Sequence, residues 1–89
     1  MSIDQRIIKY GEWIQENVSQ PCHGMCETYA KEMSKSFPEL HPVAGRAEVE
    51  DLVGDRYLAA HWWCEDDQGN VIDPTVKQFL HVVNYIGDD

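Results

Sequence analysis

Apolar residues in the first fifth of the chain recur at steps of three and four: Ile3, Ile7, Tyr10, Ile14 and Val18. That spacing lines one face of an α-helix and carries it to about residue 18. Ser2 followed by Gln5 supplies a capping-box pair at its start, and Gly11 weakens its interior slightly. Ser19, Gln20 and Pro21 interrupt the pattern. A second amphipathic stretch begins near Gly24, with Cys26, Tyr29, Ala30, Met33 and Phe37 along one face and Glu27 in the first turn. Pro38 and Pro42 close it. From residue 43 the period drops to two. Val43, Gly45, Ala47 and Val49 alternate with Ala44, Arg46 and Glu48, which predicts a half-exposed strand. Gly54-Asp55 marks a turn, residues 57 to 65 read as a second strand rich in aromatics, residues 70 to 73 as a third and residues 79 to 86 as a fourth. Two N-terminal helices packed on a small antiparallel sheet of three to four strands make an α+β fold.

The 89 residues fit a single domain spanning 1–89, near the lower end of what encloses its own core. At 43% hydrophobic residues the chain is too apolar to read as disordered. No apolar run approaches the roughly 18 residues that cross a bilayer, and MSIDQR carries no signal-peptide pattern, so a cytoplasmic location is the default and no membrane partner is expected. A net charge of −9 argues against binding a nucleic-acid backbone, which needs clustered Lys and Arg. Solubility is the plainest use of that acidity. Three cysteines leave at least one thiol free in any disulfide scheme. In a reducing compartment they point to catalysis, metal binding or packing.

The stretch HWWCEDDQGNVIDPT, residues 61 to 75, narrows the choice. Three-residue hairpin loops favour glycine in the left-handed last position, so Asp67-Gln68-Gly69 is the natural loop. Asp66 then pairs with Asn70, Trp63 with Asp73 and His61 with Thr75, which makes His61 and Asp73 diagonal neighbours on one face. A carboxylate on one imidazole nitrogen fixes the tautomer and leaves the other nitrogen to act as a base. That nitrogen should face a nucleophile, and Cys26 offers one. It stands at the predicted start of a helix, where backbone N–H groups and the dipole favour thiolate. Gly24 permits a tight turn there, and Gln20 could offer an amide N–H to an oxyanion beside the backbone N–H of Cys26.

These residues carry a resemblance. GMCETYA at a helix start, then HWW, then GNVIDPT resembles the transglutaminase-like branch of the papain-like cysteine enzymes. The likeness covers residues 20 to 79, including FPEL and the closing QF of DPTVKQF, and the QxxxxxC spacing from Gln20 to Cys26 is similar to the papain arrangement. It implies Cys26 as nucleophile, His61 as general base and Asp73 as its orienting partner. The implied reaction is acyl transfer from an amide: hydrolysis, deamidation or crosslinking of a protein, a peptide or a small amide. No cofactor is implied. Because some members of the superfamily have lost activity, an acidic binding or inhibitor module on the same fold is the alternative.

Other residues have plainer readings. Cys64 falls on the opposite strand face from His61 and reads as core, and Cys22 sits in the preceding turn as a weak rival nucleophile. Trp62 and Trp63 read as core and site wall, with Trp63 beside the substrate. Nothing is assigned to His23, His41 or His81. Cys22, Cys26, His61 and Cys64 are zinc-compatible in type. An extended strand, however, sends residues 61 and 64 to opposite faces, which hinders joint coordination, so no metal ligand is assigned and a small domain with a structural Cys/His zinc site is kept as a further alternative.

Overall fold

In the computed structural model, which describes residues 5–19 and 24–87, two helices lie against a four-stranded antiparallel sheet. Helix α1 runs Gln5–Asn17 and α2 runs Cys26–Ser36. The Ser2 half of the expected capping pair lies outside the described residues. Along α1, Tyr10 is buried and Trp13 and Ile14 pack beside it. Ile7 departs from the expected stripe and is 63% exposed. Its turn borders an open hollow shared with Asp66, Asn70 and Val71, at the margin of the sheet rather than over it. On α2, Ala30 and Met33 are fully buried. The helix ends as Phe37 turns extended (φ −127°, ψ 98°), the conformation that a following proline imposes.

The strands are β1 (His41–Glu50), β2 (Arg56–Glu65), β3 (Val71–Ile72) and β4 (Val82–Gly87), arranged β3-β2-β1-β4. Pro42 proves to be inside β1, opposite Cys64, and not a helix terminator alone. A missing N–H is tolerated there because β4 pairs with β1 only from Gly45 onward, so Pro42 sits where β1 is still an edge. The fourth strand begins at Val82, three residues later than the pattern predicts, and a bulge interrupts its ladder between Glu48 and Val49.

Strand alternation gives the sheet two distinct faces. Trp62, Cys64 and Ile72 turn towards the helices, where Tyr10, Ala30, Met33, Leu40 and Cys64 form the buried cluster. The Cys64 thiol donates to Ala30 O at 3.2 Å, and Lys31 Nζ stands 5.0 Å above the Trp62 ring. His61 and Trp63 face the other way. Trp63 is fully buried on that second face, its indole lying over Gly45. A Cβ on Gly45 would lie 2.7 Å from Trp63 Cη2 and 2.9 Å from Gly87 Cα, and closer still to Ile86 O. Glycine is therefore required for the tryptophan to seat.

Because β3 and β4 form opposite edges, residues 73–81 must cross the sheet to join them. They cross on the His61 face. A 3-10 turn, Val76–Gln78, lies within this crossover, and the Phe79 ring meets the imidazole edge-on at 4.9 Å. The molecule thus has helices on one face of the sheet and a crossover strap on the other.

Candidate functional site

The β2–β3 hairpin fixes the site's geometry. Gly69 has φ +81°, the left-handed conformation that closes a three-residue loop without a Cβ penalty. Asp66 braces the loop: its Oδ1 accepts from the backbone N–H groups of Gln68 and Asn70, both at 2.9 Å. The Asn70 side-chain amide, donating to Oδ2 at 3.0 Å, leads these bonds in holding the Asp66 carboxyl below its usual range. Glu65 pairs with Val71 and Cys64 with Ile72, the register that the glycine predicts.

Continuing that register brings His61 and Asp73 together. His61 Nε2 lies 2.8 Å from Asp73 Oδ2, and the two side chains are 0% and 4% exposed. Asp73 has further partners. Its Oδ2 also accepts from the Tyr85 hydroxyl at 2.9 Å, and its Oδ1 accepts from the Thr75 backbone N–H at 3.1 Å. Tyr85 reaches it from β4, two strands beyond β2 in the sheet order. Burial, then the Asp73 charge, then this hydrogen bond push the Tyr85 hydroxyl well above the ordinary tyrosine range.

Cys26 is the first residue of α2, so its backbone N–H has no acceptor within the helix. With Gly24, Glu27, Ala44, Gly45, Ala60, His61 and Trp62 it lines a hollow of about 350 Å³. Small residues make that hollow: Ala44 and Gly45 on β1 lie opposite Trp62 and His61, and Ala60 opposes Arg46. The thiol is partly exposed and reduced. The expected contact between the second imidazole nitrogen and the sulfur is corrected by the structure. Among the described residues no hydrogen bond joins Cys26 to His61, and Nδ1 instead lies 3.4 Å from the Gln78 amide nitrogen. The reason is the crossover, which delivers Gln78 to the face that β2 gives to the imidazole.

One other expectation changes. Trp63 was expected beside the substrate, yet it is fully buried and donates its indole N–H to Glu65 at 2.9 Å. In this structure it supports the site from below. Gln20 and Cys22 lie outside the described residues, as does His23. Cys64 sits in the core, its thiol pushed up by burial, and it faces away from His61, so these two cannot share a metal ion.

Thr75, Gln78 and Tyr85 are the site residues that pattern reading missed. Thr75 is fully buried, and Gln78 donates to its hydroxyl at 3.0 Å. A serviceable signal existed for the first: a threonine two residues after an aspartate commonly closes an Asx turn. None existed for Tyr85. Comparison of the chain with protein-family models, with curated proteins and with solved structures finds no match.

Proposed function

We propose that this protein is a thiol-dependent acyl-transfer enzyme with Cys26 as nucleophile, His61 as general base and Asp73 as the residue that orients it. The observation that carries the reading is the buried His61–Asp73 pair at 2.8 Å, beside a hollow that His61 shares with a partly exposed thiol at a helix N-terminus. A carboxylate can only accept, so the neutral imidazole keeps its hydrogen on Nε2 and its lone pair on Nδ1. On this reading Nδ1 exchanges its Gln78 contact for the thiol and takes the thiol proton as the sulfur attacks a carbonyl carbon. The acyl thioester forms as the leaving amine or alcohol departs with that proton, and water or an amine then resolves the thioester. Unpaired N–H groups in the first turn of α2 face the developing oxyanion. Such a triad is the one that the resemblance to papain-like and transglutaminase-like enzymes implies, and amide bonds of peptides or small molecules are the substrate class.

An active ester tests this without knowledge of the natural substrate. Treatment with p-nitrophenyl acetate should add one acetyl group to Cys26, released on standing, and His61→Ala should suppress it. Acetylation confined to lysines, or unaffected by His61→Ala, would refute the reading.

A second reading rests on one specific observation. The imidazole is fully enclosed, with partners on both nitrogens, which also suits a network that serves packing alone. On that reading the chain is an acidic binding module, and the ester leaves Cys26 unmodified.

A further inference from the structure

The Gln78 carboxamide meets two side chains at once. Its nitrogen lies 3.4 Å from His61 Nδ1 and 3.0 Å from Thr75 Oγ1. Thr75 Oγ1 in turn lies 3.5 Å from Asp73 Oδ1, and Asp73 Oδ2 lies 2.8 Å from His61 Nε2. Four side chains thus close a ring of polar contacts around one imidazole. With His61 neutral, every direction in that ring is set. Nε2–H donates to the carboxylate, which leaves a lone pair on Nδ1. The amide donates one hydrogen to Nδ1 and the other to Thr75, whose hydroxyl donates onward to Asp73.

The same positions also suit the protonated ring. A proton on Nδ1 would oppose an amide N–H, an arrangement with no acceptor between two donors. Half a turn of the carboxamide removes the conflict by placing Oε1 where the nitrogen was. Oε1 then accepts from Nδ1–H and from the Thr75 hydroxyl, while Asp73 Oδ1 keeps the Thr75 backbone N–H at 3.1 Å. Only the amide oxygen and nitrogen exchange places. We propose that Gln78 is a positioning residue that follows the proton on His61 by turning its carboxamide over. Its use in acyl transfer rests on the thiol reading, in which that proton comes from Cys26; the ring of contacts does not.

The groups that face the imidazole are few. Asp73 from the end of β3 is the charged group in direct contact, and Tyr85 of β4 has its ring 6.4 Å away. Trp63 from β2 stacks at 6.0 Å, Phe79 from the crossover meets the ring edge-on at 4.9 Å, and Cys26 and Glu27 of α2 line the adjoining hollow.

The test is the pH titration of the His61 ring nitrogens by NMR in 15N-histidine-labelled protein. Wild type is compared with Gln78→Leu and Gln78→Glu. Leucine offers no acceptor to a buried Nδ1–H, so the second proton should bind at a pH lower than in wild type by about one unit or more. Glutamate can only accept, so the midpoint should rise by about one unit or more. A carboxamide fixed as donor predicts the reverse for leucine, because the opposing N–H is removed. An upward shift in Gln78→Leu, or one midpoint shared by all three proteins, would overturn the proposal. The sign in Gln78→Leu separates a turning amide from a fixed donor, while a Gln78→Glu midpoint that fails to rise overturns the contact itself, so each variant can refute the proposal if the other fails to fold. Opposite shifts in a protein whose Cys26 reacts independently of His61 would support the turning amide while removing the thiol reading.

Discussion

Asp73 gathers the site. One oxygen accepts from His61 at 2.8 Å and Tyr85 at 2.9 Å, while the other is held by Thr75. Losing one of these donors leaves the carboxylate partly unpaired, so Tyr85→Phe should reduce stability by about 1 kcal/mol near neutral pH. The alkaline side gives a sharper test. The Tyr85 hydroxyl is raised in the folded protein, so above the ordinary value of about 10 the unfolded chain releases this proton before the native state does. Its contribution is therefore complete below pH ~10 and declines as pH rises beyond it. Urea titrations at pH 8 and pH 10.5 should show the gap between wild type and Tyr85→Phe narrowing at the higher pH. A gap that widens there would contradict the assigned hydrogen bond. At this scale the His61–Asp73 contact was legible because only a short hairpin separates the two residues. Tyr85 was not, since it arrives through β4, whose place beside β1 no local pattern encodes.

Among the elements, the β2–β3 hairpin decides whether the site exists at all. One residue more or fewer in its loop would send Asp73 to the wrong face. Gly69 at φ +81° holds that loop, and a side chain in this conformation costs about 1–2 kcal/mol. Gly69→Ala should therefore lower the urea midpoint by the corresponding amount with an unchanged slope. A midpoint equal to wild type would mean that the loop does not depend on its left-handed glycine. Both helices, the first three strands and this register could be read from periodicity and turn chemistry. The extent of β4 could not. Phe79 is apolar like a strand residue, but it is used against the His61 ring, and the strand waits until Val82. Pro42 misled for a related reason: a proline inside a strand is admissible only at an edge, and β4 leaves that stretch of β1 unpaired.

The whole molecule assembles its candidate chemistry from separate layers. The thiol belongs to the helix layer, the imidazole to the sheet and the carboxylate to the hairpin's edge. Sequence order could name these three because each sits at a recognisable local feature: a helix start, an aromatic strand and an Asp-Pro turn. It could not show that a crossover would strap the second face and bring Gln78 to Nδ1, since such a path depends on where both sheet edges lie. No described helix is long and apolar enough to cross a membrane. The central claim is that Cys26 and His61 act together, and competitive labelling with iodoacetamide across neutral pH, resolved by peptide mass for Cys22, Cys26 and Cys64, tests it most directly. On the proposed mechanism Cys26 is the attacking thiol, so it should react severalfold faster than Cys22. Cys64, fully buried with its thiol pushed up, should react slowest. In His61→Ala the advantage of Cys26 should disappear. Equal labelling of Cys26 and Cys22 in wild type, unchanged by His61→Ala, would contradict the account and leave the buried network as a feature of packing alone.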